Sequence, residues 1–160
     1  MQIRFSYDKK KVIQALRYHF ISRKEIRLMM ILVNVFAIVA AVLFYSKKIR
    51  PEPFFLGSFI WIGMMVAVWY ILPYSIFKKS PTFKQTFSME FTPSQIRLEN
   101  EVGRATWNWQ DFVKFLESPH FFHLYFTEKS FFIVPKENMT EDFRHELRGL
   151  LNTKIGDRKK

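Results

Sequence analysis

The side chains best suited to chemistry are few and widely separated. The 160 residues include four histidines, His19, His120, His123 and His145, and no cysteine. Without Cys there is no disulfide framework, no thiolate zinc or iron–sulfur site and no cysteine nucleophile. His120 and His123 are three apart on a predicted strand, so they point to opposite faces, whereas a metal needs convergent ligands. Glu99, Glu101, Asp111 and Glu117 fall near predicted strand ends or turns, where a solvated charge is the ordinary outcome. The chain has no G-x-S-x-G elbow, no phosphate-cradling glycine loop and no H-E-x-x-H pair. A non-enzyme without cofactor or metal is the expectation.

The elements around these residues are more informative. Mean hydropathy is −0.06, but Leu28–Tyr45 and Phe54–Phe77 contain no charged residue. At 18 and 24 residues they would rise about 27 and 36 Å as helices, against a hydrocarbon core of about 30 Å. Both are expected to be transmembrane. The first leaves as Phe44-Tyr45-Ser46-Lys47-Lys48 without an A-x-A-like site, and is expected to be an uncleaved anchor. Asn34 is the strongly polar residue of the first span, and Pro73 deprives the Trp69 carbonyl of its helical donor. The two are placed where they could meet. Ala37/Ala41 and Gly63/Ala67 are small-xxx-small pairs near mid-depth, expected to form the hairpin contact.

Charge gives the orientation. The chain carries 25 Lys+Arg against 14 Asp+Glu, net +11. Lys9, Lys10, Lys11, Arg17, Arg23, Lys24 and Arg27 precede the first span, and Lys78, Lys79, Lys84 and Arg97 follow the second. The connecting loop holds only Lys47, Lys48 and Arg50. Cytoplasmic termini at the cell membrane follow from the positive-inside rule. The excess lies beside the spans, which favours anionic lipid headgroups over nucleic acid as its partner.

Flanking segments change periodicity. Ile3, Phe5 and Tyr7 alternate as a short strand, and Asp8 can cap a helix whose stripe is Val12, Leu16, His19, Phe20 and Arg23. The strand is expected to pair antiparallel with residues 83–91, putting Ile3, Phe5 and Tyr7 in one core with Phe87 and Met89. Beyond Lys79 a period of two governs Phe83–Phe91, then strands follow at Ile96–Leu98, Arg104–Trp109, Phe112–Glu117, Phe121–Thr127 and Phe131–Pro135. Thr140 begins a closing helix with Phe143, Leu147, Leu150 and Leu151 on its apolar stripe. The expected divisions are 1–27 (strand and basic helix), 28–45 (first span), 46–53 (external loop), 54–77 (second span), 82–153 (cytoplasmic domain) and 154–160 (basic tail). The domain core is placed at Phe87, Met89, Trp109, Phe112, Phe143 and Leu147.

Two spans, then strands, Trp109-x-x-Phe112, Phe131-Phe132-Ile133-Val134-Pro135-Lys136 and a final helix resemble the YcxB-like family. These are small bacterial membrane proteins. The resemblance implies a membrane α+β protein: a two-helix transmembrane hairpin and a pleckstrin-homology-like antiparallel half-barrel closed by one α-helix. Met139 stands where the family usually has an aromatic. Pleckstrin-homology domains that hold phosphoinositides use basic residues between their first two strands, and Thr92–Gln95 has none.

Phe accounts for 19 residues, with doublets at Phe121-Phe122 and Phe131-Phe132 that must face both ways. One face fills the core. The other face, with Phe121, His123 and Tyr125, needs cover by the protein's own helices or else is the candidate surface for a protein partner or a second copy, consistent with a binding or scaffolding role. The alternative is a peptide-resistance (immunity-like) or transport-associated component acting through the hairpin.

Overall fold

In the computed structural model, which describes residues 1–156, the chain divides into two compact units. Met1–Ala15 joins the chain from Ser80 onward in one, and Leu16–Lys79 forms the other. The last residues of the expected basic tail, 157–160, lie outside the described residues.

The first unit is a discontinuous β domain. A four-stranded sheet has the order β1 (Gln2–Phe5), β2 (Phe87–Phe91), β3 (Gln95–Glu99), β4 (Arg104–Asn108), and a three-stranded sheet the order β5 (Lys114–Glu117), β6 (Phe121–Tyr125), β7 (Phe131–Pro135). All neighbours are antiparallel. The expected long-range strand is present: Ile3 opposes Met89 and Phe5 opposes Phe87. Their side chains share one core with Ile96, Phe122, Val134 and Leu147. The N-terminal segment is therefore part of the β domain, not a separate division ending at residue 27.

Most element ends follow local chemistry. Asp8 Oδ1 accepts from Lys11 N at 2.9 Å, and Thr140 Oγ1 accepts from Phe143 N at 3.2 Å to start α5 (Glu141–Lys154). The β2 strand begins later than its alternation suggests, because Pro81–Lys84 forms a 3-10 turn that takes Phe83 out of the ladder. The β4 strand stops at Asn108. Asn108 and Asp111 form a reciprocal capping box around the 3-10 turn Trp109–Asp111. Trp109 is nevertheless buried at 3% exposure, and its Nε1 donates to Thr92 O at 3.0 Å. Phe87, Met89, Phe112 and Leu147 are core residues as expected, with Phe143 partly buried against them.

The two sheets meet at a corner between β1 and β7. Tyr7 Oη donates to Ile133 O at 2.7 Å, Asn138 Nδ2 donates to Arg4 O at 3.1 Å, and the Phe5 and Phe132 rings are 6.5 Å apart. Burial pushes the Tyr7 phenol well above its ordinary pKa.

The second unit is helical. Helix α1 (Lys9–Ser22) begins in the first unit, and Arg23, in extended conformation, separates it from α2 (Lys24–Tyr45). The α2 C-terminus closes as a Schellman turn: Lys48 N donates to Leu43 O, Lys47 N to Phe44 O, and Lys47 takes φ 54°. Pro51 then starts α3 (Pro51–Val66), which continues through a π-turn at Ala67–Ile71 into α4 (Leu72–Lys79). The Phe44 and Phe54 rings stack at 4.4 Å across the turn. Helices of 22 and 29 residues result, long and apolar enough to cross a membrane.

Their contact departs from the expected one. Ala37 and Ala40 face Gly57, Trp61 and Met64 along an apolar groove of about 370 Å³. Gly63, Ala41 and Ala67 do not line it, and a Cβ on either Gly57 or Gly63 would meet nothing within 4 Å. Helix phase explains this. Gly57, Trp61 and Met64 form one i, i+4, i+7 stripe, and Gly63 lies well off it.

Candidate functional site

The densest set of interacting charges lies where β5 and β7 end beside α5. Pro135 closes β7, and Lys136 follows it into a buried position. Its Nζ donates to Glu117 Oε1 at 2.6 Å and to Ser118 O at 2.7 Å, and lies 4.8 Å from the Phe122 ring centroid. Arg148 approaches from α5 and binds Glu117 bidentately, Nε and Nη2 each at 2.7 Å. The Arg148 hydrogen bond leads in pulling the Glu117 carboxyl down to about 2, with Lys136 adding to it against desolvation. Arg148 is correspondingly raised by Glu117.

Beneath this triad is a buried polar turn. Ser118 Oγ donates to Phe121 O at 3.1 Å and accepts from Phe121 N at 3.2 Å. His123 Nε2 lies 2.9 Å from the same oxygen and is therefore its second donor. On the neighbouring surface, Asp8, Lys11, His120, Lys136, Glu137 and Arg144 line a polar groove of about 300 Å³. Lys11 pairs with Glu137 there, and Arg144 pairs with Glu141. Lys11, Lys136, Arg144 and Arg148 thus each have a carboxylate partner. The arrangement fastens the strand ends to the closing helix and neutralises Lys136 where water is scarce.

The expected partner surface is corrected by burial. Phe121, His123 and Tyr125 are each at most 1% exposed, and β6 is buried on both faces. Residues 1–15 join this unit and bring further buried apolar residues, Val12 and Ala15. A strand with Phe on both faces needs such cover.

The expected meeting of Asn34 with Trp69 is also corrected. Asn34 Nδ2 donates to Met30 O of its own helix at 2.7 Å, the back-bond open to a short polar side chain in a helix. The Trp69 carbonyl instead accepts from Arg17 Nε at 2.8 Å. The Arg17 guanidinium carbon lies 5.1 Å from the Tyr70 ring centroid and 5.7 Å from that of Trp69. Pro73 is buried just beyond this π-turn. Among the described residues, no three His, Asp or Glu side chains come together to hold a metal.

Residues 91–151 match the YcxB-like protein family. The YcxB-like segment runs from the end of β2 into α5 and includes all three members of the triad. The Pro135-Lys136 pair on which the resemblance rests thus has a structural reason: Pro ends the strand and Lys enters the ion cluster. No curated protein and no solved structure matches the chain. Glu117 and Arg148 were not recognisable from sequence, because 31 residues separate them and neither lies in a local charge pattern. Arg17 was visible only as one of several basic residues.

Proposed function

We propose that this protein is a membrane-anchored, non-catalytic module whose pleckstrin-homology-like domain binds or scaffolds another protein at the cytoplasmic face. The observation that carries this reading is the β1–β2 ladder. Phe5 pairs with Phe87, so the helical segment inserted between them must begin and end on the same side of any bilayer it crosses. Two crossings satisfy that condition, and one does not. The outward side chains of α2 and α3 are apolar: Phe36, Ile38, Phe55 and Phe59 are all exposed. Lipid is the environment in which such surfaces are stable.

Four strands and three strands in two antiparallel sheets, joined at a corner and followed by one helix, support the pleckstrin-homology-like assignment. With Phe121, His123 and Tyr125 buried, the binding role moves to the β4 edge, where Arg104, Thr106 and Asn108 are exposed. An edge strand offers unpaired backbone groups to an extended peptide. Cysteines introduced singly at Ser46 and Ser130 test the topology, with no native thiol to interfere. On intact cells an impermeant thiol reagent should label Ser46→Cys and spare Ser130→Cys. Labelling of Ser130→Cys alone overturns the orientation.

A further inference from the structure

Arg17 is held in an unusual way. Its Nε is committed to the Trp69 carbonyl and its guanidinium carbon lies over the Tyr70 and Trp69 rings. Among the described residues no carboxylate lies within ion-pair distance of it, whereas Lys136, Arg144 and Arg148 each have one. The Nη groups of Arg17 therefore form a positioned donor edge that no carboxylate among the described residues neutralises. Arg17, Trp69 and Tyr70 all belong to the helical unit.

The depth of the site follows from helix arithmetic. The 18 residues Leu28–Tyr45 rise about 27 Å. The same count from Phe54 along the second helix ends at Ile71. Trp69, Tyr70 and Tyr74 thus stand at the level where aromatic side chains mark the boundary between hydrocarbon and headgroups. A guanidinium edge fits two oxygens of one phosphate, and the hydrogen bond to Trp69 O with the aromatic rings beside it holds the cation in place before the ligand arrives. The π-turn also contributes, because the proline-released Trp69 carbonyl is what anchors Nε.

We infer that Arg17, set on the Trp69–Tyr70 π-turn, is a phosphate-binding site that captures the headgroup of an anionic phospholipid in the cytoplasmic leaflet. This rests on the membrane reading above and names a ligand and a residue for it. The chemistry is that of any phosphate diester or monoester, so the test separates lipid from free phosphate.

The full chain is reconstituted in phosphatidylcholine bilayers containing a minor fraction of phosphatidylglycerol. Bromine is placed near the top of the acyl chains of one lipid or the other, and tryptophan quenching is recorded. Per molecule of lipid, phosphatidylglycerol should be enriched about fivefold beside Trp69, the scale for one basic group at an anionic surface. Arg17→Gln should abolish the preference, and Arg50→Gln, at the opposite end of the hairpin, should leave it. If Arg17→Gln fails to insert, Arg17→Lys is measured instead, since it keeps the charge and one donor but lacks the forked edge. A wild-type preference in Arg17→Lys overturns forked capture. Equal quenching by both lipids in the wild-type protein overturns the site and leaves the membrane reading standing, whereas no quenching by either overturns the membrane reading itself. Loss of the preference on adding inorganic phosphate overturns the lipid assignment in favour of a free-phosphate site.

Discussion

The two units treat the same kind of residue in opposite ways. In the β domain, Phe5, Phe87, Phe112, Phe121 and Phe122 are all almost fully buried. In the helical unit, Phe36, Phe55 and Phe59 are among the most exposed side chains, with Phe59 at 76%. Polar groups invert too. The β domain sinks Ser118, His123 and Lys136 into its interior, with His123 Nε2 against Ser118 Oγ and Lys136 Nζ on Glu117 of a different strand. The hairpin satisfies Asn34 and Ser58 on carbonyls four residues back in their own helices. One unit buries its apolar side chains in tertiary contacts, and the other leaves its apolar surface uncovered by the described chain.

The largest effect is expected from the β domain's first strand. Removing residues 1–5 withdraws Ile3 and Phe5, each worth about 1.5–3 kcal/mol when buried, and exposes the edge of β2. Amide protection at Thr86–Glu90 should fall sharply while insertion of the helices is unchanged. Persistent protection would break the claim that β1 belongs to this unit. Next is a matched pair. Trp109→Ala should cost about 3–5 kcal/mol and abolish protease resistance of the domain, whereas Phe59→Ala should leave it intact. Equal effects would remove the contrast between the units.

The ion triad gives a smaller effect with a pH signature. Glu117→Gln strands Lys136 without its carboxylate and should cost about 3 kcal/mol near neutral pH. In the wild-type protein the Glu117 carboxyl is held at about 2, below its ordinary 4.5. Its stabilisation is therefore complete above 4.5 and is lost as the pH falls toward 2. Denaturation midpoints measured across that window should converge for wild type and variant. The smallest effect is expected at Gly63. With nothing near its missing Cβ, Gly63→Leu should change hairpin stability in detergent by less than about 0.5 kcal/mol. A cost above 1 kcal/mol, on the scale of overpacking, would show that the helices also meet on that face.

Sequence alone was sufficient wherever the cause is local. Period-two alternation located β2 and β3, Asp8 and Thr140 announced their helices, and uninterrupted apolar runs located α2 and the continuous helix from α3 through α4. Even the β1–β2 pairing was legible, since an alternating segment and an open edge on the same side of two expected crossings leave few other arrangements. What sequence did not determine was which faces meet. Small-xxx-small spacing marks Gly63 and Ala67 on the second helix, whereas the groove against the first helix is lined by Gly57, Trp61 and Met64. Phe121, His123 and Tyr125 alternate as an outward face, yet the fold buries them. The partners of Trp69 O and of Glu117 lie 52 and 31 residues away. Hydrogen bonds and ion pairs have a reach of a few ångströms, so such choices exist only once the chain has folded back on itself.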